Sequence, residues 1–235
     1  MTLSYDRWVI IGLIVIVLGG IATTAWTVQN EDSRLRQELL TKSRLVEEGL
    51  NPDLVMGLTG TDADLSSPEY LALKEELIRV RAADPAIRFL YYLGQRPDGA
   101  VVFLIDSETP DSPDYSPPGQ VYSEVSRDQV SLFIANREET TIGPYSDRWG
   151  TWVSSVTPVR DPGTGEVIAV FGMDTYAQDW YVGIVKTSLP VVTGIFILLF
   201  VLLVFTYAHE RNLKEKRILA QSEKAARESE HRLND

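Results

Sequence analysis

Residues 88–107 read RFLYYLGQRPDGAVVFLIDS, two apolar, β-favouring runs on either side of Gln95-Arg96-Pro97-Asp98-Gly99. Proline presets the turn backbone, and glycine accepts a conformation that other residues resist, so Pro97-Asp98-Gly99 predicts a hairpin joining strands at 88–94 and 100–107. Downstream, residues 152–159 and 166–173 form a second pair of strand-like runs around Asp161-Pro162-Gly163-Thr164-Gly165. Upstream, Ser67 as N-cap, Pro68 at the first helical position and Glu69 in the first turn predict a helix carrying Leu73, Leu77, Ile78 and Val80. It should stop before Asp84-Pro85, because the residue ahead of a proline avoids the helical region. Helices followed by a meander of antiparallel strands specify an α+β domain with helix covering one face of the sheet.

Further out, the chain turns apolar at both ends. Residues 8–28 (WVIIGLIVIVLGGIATTAWTV) and 187–207 carry no charge, and each is about the 20 residues a helix needs to cross roughly 30 Å of hydrocarbon. A cleaved signal peptide is the competing reading of the first, since Ala22 and Ala25 follow its apolar run. Pro190 is expected within the first turn of the second span, and Trp180, Tyr181 and Lys186 are expected as interfacial anchors. Arg7 precedes the first span, and Arg211, Lys214, Lys216 and Arg217 follow the second. Both termini should therefore be cytoplasmic and the middle extracytoplasmic. The expected division is a cytoplasmic N-terminus at 1–7, transmembrane helices at 8–28 and 186–207, an external domain at 29–185 and a cytoplasmic helix at 208–235. Leu35, Leu39, Val46 and Leu50 recur at helical spacing and predict that the first span continues as an amphipathic stalk, broken at Asn51-Pro52.

The net charge of −11 describes no single part of the molecule. Acidic residues outnumber basic ones about two to one between the spans, and a surface of that sign repels nucleic acid. The chain has no cysteine and only two histidines, which removes disulfides, thiolate metal sites and most zinc sites. Neither span contains an ionisable residue to line a transport pathway. Asp106, Glu108, Asp111 and Asp114 are close in sequence, but they lack the spacing of a calcium loop and prolines interrupt them. No metal or cofactor is predicted, and no catalytic constellation appears.

Five sequence features taken together resemble one family. The two spans, the stalk, Gly119-Gln120-Val121-Tyr122, the run from Asp147 through Trp149 and Trp152 to Ser154, and Gly172-Met173-Asp174 resemble Cache-type sensors. These extracytoplasmic PAS-like domains are the input modules of membrane histidine kinases, diguanylate cyclases and chemoreceptors. The resemblance implies a PAS-like α+β domain with an antiparallel sheet of five or six strands, a long N-terminal helix and two flanking transmembrane helices. It further implies a small-molecule pocket on the sheet beneath the proline-rich loop at 108–120, with signals passing into the last helix. An acidic residue at the end of the last strand would hold a ligand ammonium, which by position is Asp174.

The candidate site residues are Asp174, Trp149, Asp106, Arg148, Tyr122, Tyr91, Tyr92 and Trp152. Asp174 is open to a second reading as the N-cap of a helix starting near Thr175, and Asp106 to one as a turn-forming aspartate. The aromatic residues are either a ligand wall or ordinary core, and alternation forbids Tyr91 and Tyr92 from facing the same side. Arg148 is either a clamp for a ligand carboxylate or a surface ion-pair partner.

The expected function is a transmembrane receptor that binds an organic acid or amine, contacts lipid and pairs with a second copy of itself. Leu219, Ala226 and Leu233 form a weak heptad seam suited to such pairing. The chain is expected to be a non-enzymatic fragment, with a histidine kinase or diguanylate cyclase beyond Asp235. The alternative is a membrane-anchored module that binds another protein through the 108–120 loop.

Overall fold

The computed structural model describes residues 2–125, 127–134 and 138–233. Contacts divide the chain into two compact units, one of Met1–Gln29 with Val185–Asp235 and the other of Asn30–Ile184. The first unit holds the apolar stretches of two helices, α1 (Thr2–Gly49) and α5 (Ala177–Leu233), each long and apolar enough to cross a membrane. Within it a Cβ placed on Gly20 would meet the Ile195 side chain at 2.8 Å, so glycine lets these helices approach. Because α5 begins at Ala177, Pro190 sits in the helix interior and not in the first turn expected from the sequence. Proline has no N–H, so the bond that would reach back to the Lys186 carbonyl is missing.

In the second unit, the Asn30–Gly49 part of α1 is followed by α2 (Pro52–Met56), whose cap Asn51 accepts the Asp53 N–H at 3.0 Å. A 3-10 turn (Asp62–Ser66) leads to α3 (Pro68–Ala83), where the Ser67 hydroxyl accepts the Tyr70 N–H at 3.0 Å. The helix expected from Ser67, Pro68 and Asp84-Pro85 thus forms over its full predicted length. Five strands follow: β1 (Phe89–Gln95), β2 (Val101–Asp106), β3 (Thr140–Ser146), β4 (Thr151–Arg160) and β5 (Val167–Tyr176). A short helix, α4 (Arg127–Ile134), lies between β2 and β3.

The sheet order is β2-β1-β5-β4-β3, antiparallel throughout. This corrects the simple meander read from the sequence: β1 leaves its hairpin partner on one side and takes the last strand on the other. The class is α+β with a long N-terminal helix, as expected.

Strand alternation divides the sheet into two apolar faces. Leu90, Tyr92, Phe171 and Met173 pack under Leu39 of α1, Leu73 and Leu77 of α3, and Trp180 of α5. Leu73 and Leu77 are fully buried, and each such leucine contributes roughly 1.5–3 kcal/mol. Phe89, Tyr91, Phe103, Tyr122 and Trp152 occupy the other face, with Val130 and Phe133 of α4 against them. Trp180 is a core residue whose indole N–H donates to Asp32 at 2.9 Å, not the interfacial anchor expected, whereas Tyr181 is exposed. In the heptad seam Leu219 and Ala226 are exposed, and the side chain of Leu233 lies outside the described residues, as does Asp235.

Candidate functional site

The pocket is built on the face of the sheet away from α1 and α3. Its floor follows from register: Tyr91 on β1 lies opposite Gly172 on β5, and Asp174 lies opposite Phe89 on one side and Ser154 on the other. A Cβ on Gly172 would stand 2.1 Å from the Tyr91 ring, so the missing side chain is what lets that ring lie across β5. The phenol then reaches two residues along the strand and donates to Asp174 Oδ1 at 3.1 Å. Ser154 also hydrogen-bonds Asp174 and is linked in turn to the Tyr145 hydroxyl at 3.0 Å.

Asp174 is almost fully buried, and among the described residues no cation forms an ion pair with it. Burial is the main cause that pushes its carboxyl up to about 7, against the Ser154 and Tyr91 hydrogen bonds and with the nearby Asp147 charge. A carboxylate in that position lacks the positive partner that normally accompanies a buried charge.

Asp147 organises the opposite wall. Its Oδ1 accepts the Trp149 and Gly150 N–H groups at 2.9 and 3.1 Å and the Trp152 indole N–H at 2.9 Å, while Oδ2 accepts the Tyr122 hydroxyl at 3.1 Å. One carboxylate therefore fixes two aromatic side chains and the tight turn that carries Trp149. Tyr122, Phe103 and Trp149 cluster in tilted and edge-on contacts at centroid distances of 5.3 to 6.1 Å, and Tyr91 meets Phe103 edge-on at 5.7 Å. Aromatic faces beside carboxylates attract an ammonium group both electrostatically and by cation–π contact.

The third wall is ionic but internally neutralised. Lys74 Nζ donates to Asp106 Oδ1 at 2.5 Å and to its carbonyl at 2.8 Å, and Ser116 N–H donates to Asp106 Oδ2 at 2.7 Å. Burial raises the Asp106 pKa and lowers that of Lys74, and the attraction between them opposes both shifts. Arg88 holds Asp114 at 2.5 Å and shares Glu108 with Arg81. The proline-rich segment is therefore fastened to α3 and β1.

The cavity enclosed by Phe89, Tyr91, Phe103, Asp106, Asp114, Ser116, Tyr122, Asp147, Trp149 and Asp174 opens to solvent and leaves about 20 Å³ of free space between its walls, room for about one water-sized group. Five of the eight sequence candidates line it: Asp174, Asp106, Tyr91, Tyr122 and Trp149. Trp152 is 2% exposed and lies beneath the lining, packed against Phe89 at 5.1 Å. Tyr92 faces the helices and packs on Phe171, on the opposite side of the sheet. Arg148 points outward, paired with Glu124 at 2.6 Å, and stands outside the lining.

The N-cap reading of Asp174 is overturned. β5 runs to Tyr176 and α5 starts at Ala177, so Asp174 is a paired strand residue. Asp106 does make a turn contact, with the Glu108 N–H at 3.3 Å, in addition to lining the cavity. Phe89, Phe103, Asp114, Ser116 and Asp147 were missed from sequence. Phe89 was accessible by counting two residues back from Tyr91 on the same strand.

No family model and no curated protein matches the chain. Among solved structures it is similar to the ligand-binding domain of the Campylobacter jejuni chemoreceptor Tlp3 in complex with L-valine, at 15% identity and a TM-score of 0.45. That match covers 75% of this chain and 67% of the other. It is also similar to the ligand-binding domain of the Pseudomonas aeruginosa PAO1 amino acid chemoreceptor PctC in complex with GABA, at 18% identity and a TM-score of 0.38, covering 68% and 63%. A third likeness is to the periplasmic domain of RsbU from Chlamydia trachomatis, at 18% identity and a TM-score of 0.33, covering 70% and 59%. At these values the likeness assigns neither ligand nor activity to this chain.

Proposed function

We propose that the chain is the sensory part of a Cache-type membrane receptor whose Asn30–Ile184 domain binds a small molecule bearing an ammonium group. The observation that carries this reading is Asp174: a buried carboxylate on the wall of a cavity, among aromatic rings, with no cation paired to it among the described residues. An ammonium seated there supplies the missing charge. Among the described residues an organic acid lacks a comparable partner, because Lys74 and Arg88 are engaged by Asp106, Asp114 and Glu108, and Arg148 faces away. The ion pairs that fasten the loop at 108–120 support its role as a pocket wall over the rival role of a protein-contact surface.

In this proposal residues 8–28 and 186–207 cross the membrane, the domain is extracytoplasmic and both termini are cytoplasmic. The receptor works as a homodimer. Ligand shifts β5, which is continuous with the start of α5, and the change reaches an output module of the histidine kinase kind. It moves that equilibrium only by its difference in affinity between the two states.

Thermal unfolding of the detergent-solubilised full chain against panels of primary amines, amino acids and organic acids tests the reading. Stabilising compounds should all carry an ammonium group, and Asp174→Asn should abolish the gain. Stabilisation by acids without an ammonium, or an undiminished gain in the Asn variant, overturns it.

A further inference from the structure

A second cavity, of about 180 Å³, lies on the helix side of the same strand, between the stalk part of α1, the end of β5 and the first turn of α5. Neighbouring strand residues point to opposite faces. The Asp174 carboxylate therefore bonds Tyr91 on the side of the pocket described above, whereas Met173 faces this cavity; Asp174 borders both spaces, and β5 is the wall common to them. Leu35, Leu39, Met173 and Trp180 supply its apolar surface. An apolar cavity of about 150 Å³ holds a benzene ring, so the space suits a body of ring size.

Its rim is charged, and two of the charges are already paired. Lys42 holds Asp84 at 2.8 Å and Glu38 holds Arg34 at 3.1 Å. Asp179, exposed in the first turn of α5, has no ion-pair partner among the described residues.

We infer that this cavity is a second small-molecule site, for an aromatic or branched-alkyl body that carries one positive charge. The body rests on Leu35, Leu39, Met173 and Trp180, and the charge meets Asp179. The site stands on this cavity alone, independent of what the pocket on the other face binds. An occupant braces β5 and the start of α5 against α1, at the joint where the last strand becomes the last helix.

Of the two described methionines, Met56 and Met173, only Met173 lines the cavity. Methyl-labelled methionine in the full chain, in detergent, therefore reports on it directly, with Met56 as internal reference. Phenethylammonium is the probe and 2-phenylethanol its uncharged counterpart. Phenethylammonium should shift the Met173 methyl resonance to saturation below about 10 mM and leave Met56 in place. It should bind about three- to fivefold tighter than the alcohol, as a single exposed ion pair allows, and Asp179→Asn should equalise the two. Leu39→Trp, which fills the space, should abolish the shift. Should that variant also move Met56, Leu35→Phe gives the same reading with less added volume. Trp149→Ala, on the opposite face, should leave the Met173 response intact. An unmoved Met173 resonance, an alcohol that binds as well as the ammonium, or a response lost in Trp149→Ala overturns the assignment.

Discussion

Tyr91 and Asp174 are joined by a hydrogen bond of 3.1 Å that crosses from β1 to β5 over the bare backbone of Gly172. The contact depends on two residues of different kinds. Tyr91 brings the donor, and Gly172 makes room for the ring that carries it. With Ser154 on the other side, the arrangement holds a carboxyl group in a buried site by neutral donors alone.

Replacing Gly172 by alanine should be strongly disruptive for so small a change. The added methyl would overlap the Tyr91 ring, and its neighbour is the rigid aromatic body of a buried side chain. Overpacking of this kind costs typically about 1–3 kcal/mol. Thermal unfolding of the full chain measures it, and Gly172→Ala combined with Tyr91→Ala should cost less than the two single changes added together.

The unliganded chain should lose stability as pH rises from about 4 to about 7. The folded Asp174 carboxyl has its pKa raised from an ordinary 3.8 to about 7, so across that window the folded state keeps a proton that the unfolded chain has released. Stability is therefore highest below the window, falls through it and levels off above it, by roughly 4 kcal/mol at most for this group. Asp174→Asn should flatten the dependence and stabilise the unliganded chain at pH 8, as read by its melting temperature across the range.

Lys74→Met should destabilise by about 3–5 kcal/mol, the usual consequence of leaving one member of a buried ion pair behind. Lys74 and Asp106 have side chains only 10% and 5% exposed, so water does not replace the lost partner. Adding Asp106→Asn to Lys74→Met should recover part of the loss, and denaturant midpoints of the three variants decide it.

Asp147→Ala should loosen three aromatic residues at once. The Trp152 indole, the Trp149 and Gly150 amides and the Tyr122 hydroxyl all lose their acceptor, and hydrogen bonds to a charged group contribute about 1.5–3 kcal/mol each. Asp147→Asn keeps an oxygen for the N–H donors and should be markedly milder. Near-ultraviolet circular dichroism, dominated by such tryptophans, should collapse in the alanine variant and persist in the asparagine variant.

Local signals in the sequence were enough for the elements that end on explicit punctuation. Ser67, Pro68 and Asp84-Pro85 delimit α3, and the Pro97-Asp98-Gly99 and Asp161-to-Gly165 turns delimit two strand pairs. β3 escaped because Gly143-Pro144 reads as a breaker, yet it pairs with β4 across an irregular register. α4 escaped because its residues offered no cap or stop signal that stood out. The β1–β5 pairing is a long-range choice that no local pattern encodes, and the position of Asp174 depends on it: read alone, a carboxylate after an apolar run is a strand end. Asp147 was legible only as the first residue of the run to Ser154, not as a site residue. Its role comes from donors supplied by a turn, a strand and the loop after β2, which only the tertiary structure brings together.

Proton release on binding tests the central claim most directly. Calorimetry at pH 6.5 in buffers of different ionisation enthalpy, with whichever amine most stabilises the full chain, counts protons lost per ligand bound. An ammonium that converts a largely protonated Asp174 to its charged form should expel well over half a proton in the wild-type chain and none in Asp174→Asn. Binding with no proton released, or with the same release in both chains, would contradict the account.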